Sequence, residues 1–453
     1  MNVKNADIRT LETFYEKEGS QLILLYGCKD CRKEQVIRSF AADKNCFYYR
    51  CRQAAAADQC RMMGEEIARQ FEVQFQENTY DEYFHCMQEK GSEKLVIVID
   101  EASYIMKKDE SFLKSILKLK SGQLGTGDVF LILASSSIVW AEQEVKDSFA
   151  ENEKKIDAKI KLENMNFLEI VRKFPSLPVS ECIKIYAAIG GVPGYMEAWN
   201  PRTSFKDNIC RLVLTEGGYL FDRAQELISS ELRELSVYNT ILSAIAQGHN
   251  KLNDIFLFTG FSRAKISVYM KNLSHFDIVE KVESIETGGW DNTKKGVYQI
   301  KDTYVNFWFK FVFPYMSDLY LLTPSAFYDR HIAGELDSYM NRYFRDVCTE
   351  YLYLLNQLGR VPFPIHKMGT WVGKTGNIDI IAQSSDRRNL VGLCNWEKPR
   401  LTLDMVKNMQ ESMEKARIKA EHFYLFSAKS FDLQLVEYAK KNPRVELIDM
   451  NEL

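Results

Sequence analysis

Short apolar runs alternate with helical periodicity in the first third of the chain. An apolar run that covers residues 22–26 is followed by a helical pattern, and the same alternation recurs twice more. The predicted strands cover residues 22–26, 46–49, 95–99 and 129–134, and the predicted helices cover residues 33–42, 58–71 and 111–120. Short, fully apolar strands separated by helices predict a parallel sheet that is covered on both faces.

The pattern becomes helical after residue 164. The segment IGGVPGYM at residues 189–196 interrupts it with glycine and proline, which predicts a small helical lid. Further on, two short strands bracket a polar, glycine-rich turn, after three helical patterns. The helical patterns cover residues 231–247, 251–258 and 262–273, and the strands cover residues 278–283 and 296–300. Three helices and a hairpin predict a winged helix-turn-helix.

The last third combines helices and strands. After Lys301 comes a very aromatic segment, with residues 307–322 expected to form a buried or amphipathic helix, and a long helix is predicted for residues 334–358. Strands at 376–383, 389–396, 423–427 and 445–449, with helices at 401–420 and 432–441, predict a mixed α/β domain. The predicted domains are a sheet domain at 1–163, a lid at 164–228, a winged helix at 229–305 and a carboxy-terminal domain at 306–453.

Composition narrows the function classes. The chain has 453 residues, enough for about three domains at roughly 100–200 residues each. Lys plus Arg number 59 and Asp plus Glu 62, so a globally basic, nucleic-acid-coating protein is excluded and any nucleic-acid surface must be local. The polar opening segment and the lack of a long apolar run predict a cytoplasmic protein that does not enter a membrane.

Cys28 and Cys31 form a CxxC pair directly after the first apolar run. Zinc would need a second such pair or paired histidines, which the following Cys46, Cys51 and Cys60 do not supply. A zinc site and a redox pair are both open interpretations. Scattered free thiols are the simplest interpretation of ten cysteines in this chain.

The stretch GCKDCRKE at residues 27–34 partly matches a phosphate-binding P-loop, GxxxxGK[ST]. In such a loop, backbone N–H groups hold phosphates, the lysine reaches the β- and γ-phosphates and the hydroxyl binds magnesium. Gly27 and Lys33 are in register, but Arg32 replaces the second glycine and Glu34 replaces the hydroxyl residue. A bulky residue and an anion at these positions predict poor phosphate binding.

Two later strand ends supply what the loop lacks. About 70 residues after the loop, an apolar strand ends in Asp100 and Glu101, which fits a magnesium-linked aspartate and a water-activating glutamate. The next strand ends in Ser135, Ser136 and Ser137, where Ser136 is a candidate sensor of the γ-phosphate. The order of these three features predicts P-loop ancestry and brings Lys33 near Asp100. An ordinary doubly wound sheet is the alternative.

The chain resembles the archaeal-type P-loop ATPases, also common in bacteria, that carry a winged helix and a carboxy-terminal domain related to restriction-type nucleases. The residues that carry the resemblance are LLYG before the loop, VIVIDEA, LILASSS, GGVPGYM, YQIKDTYVNFWFKFVFPY, WVGKTGNIDIIA and CNW. The resemblance covers nearly the whole chain. It implies an α/β fold with an AAA-like parallel-sheet P-loop domain, a helical lid, a winged helix and a PD-(D/E)xK-like domain, with ATP and magnesium as cofactors.

The nuclease-like domain of that family uses an Asp on one strand and Glu-x-Lys on the next to bind magnesium. Asp379 matches the Asp, whereas Leu393 and Asn395 stand at the Glu and Lys positions. The helical acid of the family falls on Arg345, with Asp346 adjacent. Asp379 is therefore interpreted as vestigial, and no metal site is expected.

The third helix of the winged helix is the candidate nucleic-acid-binding element. It presents Arg263, Lys265 and Lys271 and has no acidic residue, and the wing adds Lys294 and Lys295. These side chains predict modest, salt-dependent contact with double-stranded DNA. The alternative is that the winged helix serves as an adaptor between domains.

The sequence thus supports a degenerate P-loop protein with weak or absent hydrolysis and a regulatory or scaffolding role, associated with DNA in one interpretation. The rival interpretation is a functional ATPase in which Lys33, Asp100 and the catalytic Glu101 suffice despite the atypical loop. An active nuclease is the third interpretation and has the least support.

Overall fold

The computed structural model describes residues 5–90, 94–285, 296–373 and 377–453. Between Asn164 and Met165 the chain divides into two compact units.

The described residues of the first unit form five strands and seven α-helices. The strands are β1 (Gln21–Gly27), β2 (Cys46–Arg50), β3 (Leu95–Asp100), β4 (Val129–Ser135) and β5 (Ala158–Leu162). The helices are α1 (Asn5–Tyr15), α2 (Lys33–Ala41), α3 (Ala56–Phe71), α4 (Tyr80–Lys90), α5 (Ser103–Met106), α6 (Glu110–Lys120) and α7 (Val145–Phe149), and a π-helical turn (Trp140–Glu144) and a 3-10 turn (Ala150–Lys155) flank α7.

The strands of this unit form one parallel sheet in the order β2-β3-β4-β1-β5. Alternate residues of β1 enter different hydrophobic clusters, with Leu22 and Leu24 on one face and Ile23 and Leu25 on the other. A strand buried on both faces must be apolar throughout, which is why QLILLY carries no alternation. The predicted parallel sheet with helices on both faces is confirmed.

Sequence reasoning missed α1, α4 and β5. The strand β5 (AKIKL) alternates lysine with aliphatic residues and pairs only with β1 at the edge of the sheet. An edge strand buries only one face, so polar residues are allowed at alternate positions. The lysines at these positions interrupt the apolar run by which the other strands were predicted.

The second unit begins with a helical region. Its helices are α8 (Phe167–Lys173), α9 (Val179–Ile189), α10 (Pro193–Ala198), α11 (Phe205–Leu212), α12 (Arg223–Glu231), α13 (Leu235–Ala246), α14 (Leu252–Thr259) and α15 (Arg263–His275). The strands β6 (Val279–Val282) and β7 (Val297–Ile300) follow and pair antiparallel. The order of three helices and two strands from α13 to β7 is the order predicted from the sequence.

The aromatic segment that follows is broken rather than a single helix. It forms α16 (Thr303–Phe311), a 3-10 turn (Phe313–Tyr315) and α17 (Met316–Leu321). The expectation of one helix over 307–322 was therefore wrong. Pro314 lacks the N–H that an α-helix needs and ends the regular structure there.

The unit ends in a mixed α/β region. After α18 (Pro324–His331) and α19 (Leu336–Gln357), the strands follow the order β12-β11-β10-β9-β8, with β8, β9 and β10 antiparallel and β10, β11 and β12 parallel. These strands are β8 (Lys367–Val372), β9 (Asn377–Gln383), β10 (Asn389–Asn395), β11 (His422–Ser427) and β12 (Val445–Asp449), and the helices between and after them are α20 (Leu403–Ala416), α21 (Leu433–Lys441) and a 3-10 turn (Met450–Glu452). Sequence reasoning missed β8. Within the described residues, no helix has both the length and the apolar character needed to cross a bilayer.

Candidate nucleotide site

The sheet of the first unit brings three chain segments to one edge. Because β3, β4 and β1 are adjacent and parallel, their carboxyl ends lie side by side. The loop before α2 follows β1, Glu101 follows β3, and Ser136 follows β4. Ligands of open parallel sheets bind at this edge, so the topology itself selects these residues as a candidate site.

Lys33 is the centre of this site. Its ammonium nitrogen Nζ lies 2.8 Å from Oδ1 of Asp100, 2.6 Å from Oε1 of Glu101 and 3.0 Å from Oγ of Ser136. The predicted proximity of Lys33 and Asp100 is confirmed. Residues from three separate sequence features thus meet here, namely Lys33 of the loop, the pair Asp100 and Glu101 after β3, and Ser136 after β4.

The charges of this cluster are removed from solvent. Lys33 is 6% exposed, Asp100 0% and Glu101 8%. Burial alone would lower the pKa of Lys33, but the charges of Glu101 and Asp100 raise it above its usual value. The lysine is therefore held in its charged form between two carboxylates.

Glu101 is fixed in a strained but well-supported position. Its backbone φ is 53°, in the left-handed region, and the Ser136 N–H donates to its Oε2 at 3.1 Å. The Ser136 hydroxyl also donates to its other oxygen. A side chain held at both oxygens cannot turn freely, which is the arrangement that a base acting at a defined point requires.

Asp100 has partners that sequence reasoning missed. The Tyr48 hydroxyl donates to Oδ2 at 2.8 Å, and Nε of Arg50 lies 3.9 Å from the same oxygen. Both residues lie on β2, whose Arg50 is the register partner of Asp100. Burial and the charge of Asp100 raise the pKa of Tyr48, so it stays a hydrogen-bond donor at neutral pH.

The loop between β1 and α2 has an unusual residue in a left-handed backbone conformation. Arg32, in place of the second glycine, has φ 68° and directly precedes α2. Only glycine adopts this conformation without a steric penalty, which is about 1–2 kcal/mol for other residues. At the other end of the loop, a Cβ atom on Gly27 would lie 2.7 Å from Sγ of Cys31 and 2.8 Å from the Leu162 carbonyl oxygen. Glycine is therefore required at position 27 for space.

Glu34 forms an ion pair at the protein surface. Its carboxylate accepts a hydrogen bond from Nη1 of Arg50 at 2.8 Å, and both side chains are more than half exposed. The sequence predicted that this carboxylate would repel a phosphate. In the structure the positive charge of Arg50 offsets that repulsion, so Arg32 is the more serious departure from a standard loop.

The donor set fits a nucleotide with magnesium in part. The amino end of α2, the backbone of residues 28–32 and the ammonium group of Lys33 would hold phosphates, and Asp100 would face a magnesium ion. Both oxygens of Asp100 already accept hydrogen bonds, and Glu34 is paired with Arg50. The site is thus assembled around a network that a ligand must rearrange.

The candidate DNA-binding residues do not share one face. Arg263 lies over the Phe256 ring and donates to Asn253 at 2.7 Å, whereas Lys265 lies over the Phe261 ring. These two side chains and that of Lys271 are exposed. Positions two apart on a helix point in nearly opposite directions, which explains the separation. Lys294 and Lys295 lie outside the described residues.

The surroundings of Asp379 differ from those expected of a nuclease-like site. Its Oδ2 accepts a hydrogen bond from the Cys394 N–H at 2.9 Å, and the side chains of Cys394 and Cys348 are hydrogen bonded to each other. Leu393 instead packs on a separate hydrophobic cluster. The β10 group in contact with Asp379 is therefore the Cys394 N–H, not a carboxylate or a lysine.

Asp379 is also poorly placed to hold a divalent cation. Burial raises its pKa, although the Cys394 N–H and the charge of Arg345 act in the opposite direction. The part of the chain that the structure describes contains no group of three His, Cys, Asp or Glu side chains placed to bind a metal ion. This donor set does not fit the magnesium ion of a nuclease.

Two parts of the chain match known protein families. Residues 4–198 match the family of ATPase domains predominantly from Archaea, and residues 308–416 match a family of archaeal and bacterial proteins of unknown function. An uncharacterized protein of Methanocaldococcus jannaschii is 23% identical over 395 residues, which are 87% of each chain.

Solved structures with similarity to the chain include two archaeal proteins. A Walker-type ATPase of Pyrococcus abyssi has a TM-score of 0.49 and 17% identity, and covers 68% of this chain and 96% of its own. The ORC2 protein of Aeropyrum pernix, solved as ADPNP and ADP complexes, has a TM-score of 0.46 and 12% identity, and covers 68% of this chain and 92% of its own.

Proposed function

Because residues 4–198 match the family of ATPase domains found predominantly in Archaea, we propose that the first unit binds a nucleoside triphosphate weakly and hydrolyses it slowly or not at all. Its role is then regulatory or scaffolding, since the chain responds to nucleotide without sustained turnover. The observation that carries the proposal is the closed cluster of Lys33, Asp100 and Glu101.

Each residue of the cluster has a role in this proposal. Lys33 and the amino end of α2 hold the phosphates, Asp100 faces magnesium, and Ser136 contacts the γ-phosphate. The chemistry that a bound magnesium ion supplies is neutralisation of phosphate charge. Glu101 is placed to accept a proton from water, at a side chain that Ser136 holds at both oxygens.

Nucleotide binding is weak in this proposal because the phosphates must displace existing partners of Lys33. Lys33 gives up ion pairs of 2.6 and 2.8 Å with buried carboxylates before it can bind a phosphate. Removing one partner from a buried ion pair costs about 3–5 kcal/mol. This cost would make the binding free energy of the nucleotide less favourable, unless a magnesium ion replaces the lysine beside Asp100. Arg32 adds a bulky side chain where the backbone must approach phosphate.

A functional ATPase is the second candidate for the same site. The observation in its favour is the completeness of the cluster, since Lys33, Asp100, Glu101 and Ser136 are all within hydrogen-bond distance of one another or of a common partner. This candidate requires magnesium-dependent turnover that depends on Glu101.

A titration with a fluorescent ATP analogue, with and without magnesium, tests the proposal. We expect binding in the high micromolar range or weaker, lost in Lys33→Ala, and little phosphate release. The double variant Arg32→Gly with Glu34→Thr should bind more tightly. Robust phosphate release by the natural protein, abolished by Glu101→Gln, would instead establish the functional ATPase.

Contact with double-stranded DNA is a further proposal for the second unit. It is supported by the exposed Arg263, Lys265 and Lys271 on α15, a helix that has no acidic residue. Because these cations point in different directions, the proposal is for weak, sequence-tolerant contact with phosphates rather than base recognition.

A further inference from the structure

Two thiols lie in the loop that joins β1 to α2. Cys28 is partly exposed and Cys31 is 5% exposed, and neither is in a disulfide. The Cys31 N–H donates to the Cys28 carbonyl at 3.2 Å, which closes a tight turn. The turn brings the two side chains within hydrogen-bonding reach of each other, and the Cys28 thiol also lies 3.2 Å from Oδ1 of Asn164.

The surroundings of Cys31 favour its thiolate. The hydrogen bond from Cys28 is the largest cause that lowers the pKa of Cys31, and it acts together with the backbone N–H and the charge of Lys33 against the effect of burial. Lys33 is the first residue of α2, a helix of nine residues. A thiolate at a helix amino terminus beside a lysine is the environment of reactive cysteines.

From this geometry we infer that Cys28 and Cys31 are a reversible disulfide site, oxidised by small peroxides, and that the closed disulfide lowers the affinity of the loop for nucleotide. The regulatory part of this inference rests on the proposed nucleotide site. The disulfide itself does not.

The oxidation is a two-electron reaction that hydrogen peroxide balances. The Cys31 thiolate accepts the proton of Cys28, and the Cys28 sulfur, the more exposed of the two, attacks one peroxide oxygen. The O–O bond breaks, and the hydroxide that leaves takes that proton back from Cys31 to form water. This gives a sulfenic acid on Cys28. The Cys31 thiolate then attacks the Cys28 sulfur, the S–S bond forms, and hydroxide leaves and takes up a proton. Two thiols and one peroxide thus give one disulfide and two waters.

The disulfide would fix the turn that already exists. Phosphate binding requires the N–H groups of the loop to point at the ligand, but the Cys31 N–H is used by the Cys28 carbonyl. In the reduced protein this hydrogen bond can open. A covalent bond between the two side chains would hold it closed and remove one donor from the phosphate site.

A second thiol pair in the chain provides an internal comparison. Cys348 on α19 and Cys394 on β10 are also hydrogen bonded to each other, but burial raises the pKa of both thiols. Cys348 is fully buried. Both pairs thus have sulfurs in contact. Only the pair in the loop also has a partly exposed thiol and a neighbouring group that stabilises a thiolate.

The test uses the full chain, treated with a small excess of hydrogen peroxide, alkylated and digested. We expect the peptide that contains Cys28 and Cys31 to lose two hydrogen atoms and to regain them with dithiothreitol, while Cys348 and Cys394 remain alkylatable. Cys28→Ser and Cys31→Ser should each abolish the disulfide. Cys46→Ser is the matched control and should retain it, because burial raises the pKa of Cys46 to about 11. Failure of the loop peptide to form the disulfide would overturn the inference.

The affinity for a fluorescent ATP analogue is then measured before and after oxidation. We expect oxidation to lower the affinity about tenfold or more, because this is the contribution of one charge-assisted hydrogen bond. Reduction should restore the affinity. A disulfide that forms without any change in affinity would overturn the regulatory part. Lack of binding by the reduced protein would overturn the proposed nucleotide function, and the peptide mass would still decide the disulfide.

Discussion

The Lys33 ammonium group lies 2.6 Å from a Glu101 carboxylate oxygen, although 68 residues separate them in the chain. This ion pair joins the loop after β1 to the end of β3. It makes the candidate site part of the structural core, because a second carboxylate, that of Asp100, shares the same buried nitrogen. Changes at the site should therefore alter stability as well as ligand binding.

Lys33→Ala should destabilise the first unit strongly. It leaves the carboxylates of Asp100 and Glu101 buried without their cation, and breaking such a pair costs about 3–5 kcal/mol. Denaturant unfolding followed by circular dichroism measures the change. The double variant Lys33→Ala with Glu101→Gln should recover part of the loss, because one uncompensated charge is removed. Equal stability of the natural protein and Lys33→Ala would contradict the buried ion pair.

Arg32→Gly should stabilise the same unit by about 1 kcal/mol, because glycine tolerates the left-handed backbone that Arg32 adopts at φ 68°. The midpoint of urea unfolding measures the gain. Arg387→Gly is the matched control, since Arg387 also has φ 68° but lies in the second unit. Both variants should gain stability, and only Arg32→Gly should strengthen nucleotide binding. A loss of stability in Arg32→Gly would show that the arginine side chain outweighs the backbone strain.

Gly27→Ala should cost about 1–3 kcal/mol, the usual penalty for overpacking. The added Cβ would lie within 3.0 Å of Cys31 and Leu162 atoms. Gly127→Ala is the control, because a Cβ at that position meets no atom within 4 Å. Thermal unfolding of the two variants should differ clearly. Similar melting temperatures would mean that the loop shifts at little cost.

Asp379→Asn should raise the melting temperature of the second unit at pH 7 to 8 by a few degrees. Burial raises the pKa of Asp379 above its usual 3.8, so the charged form is disfavoured in the folded state. The native state then binds more protons than the unfolded state between pH 3.8 and the raised pKa, and stability falls as pH rises through that window. The advantage of the asparagine should shrink toward pH 4.

The control for this prediction is Asp404→Asn, on the exposed surface of α20. It should change stability little at any pH in this range. An advantage of Asp379→Asn that grows as pH falls would have the wrong sign and would exclude the proposed cost of burying this carboxylate.

Alanine at Arg263, Lys265 and Lys271 together should lower the salt dependence of DNA binding by about three units in the log–log slope, roughly one unit for each phosphate contact. A gel shift at several salt concentrations with two unrelated duplexes measures this. Lys407→Ala, a change at an exposed lysine on α20, is the control. Identical binding by the triple variant and the natural protein would favour the adaptor interpretation.

Much of the fold and the centre of the site could be predicted from the sequence. Parallel strands that end at one edge bring Lys33, Asp100 and Ser136 together, whatever the loops between them do. Tyr48 and Arg50 could not be found in this way, because spacing along the chain does not reveal that β2 is the neighbour of β3.

The carboxy-terminal strands show a second limit. The alignment on CNW identified Leu393 and Asn395 at the Glu and Lys positions, but it could not show that the Cys394 N–H donates to Asp379. A hydrogen bond between strands depends on their register, which spacing along one strand does not give. The orientation of Glu34 toward Arg50 is a third case, since an exposed ion pair leaves no pattern in the sequence.

The position of β1 in its sheet has a consequence for synthesis of the chain. Gln21–Gly27 pairs with β4 on one side and β5 on the other, and both partners are made more than 100 residues later. While the ribosome translates the intervening segment, this apolar strand has no partner on either edge. Unpaired strand edges promote aggregation. Fragments that end before Val129 should therefore be insoluble or require a chaperone, whereas those that include Leu162 contain every strand of the first sheet.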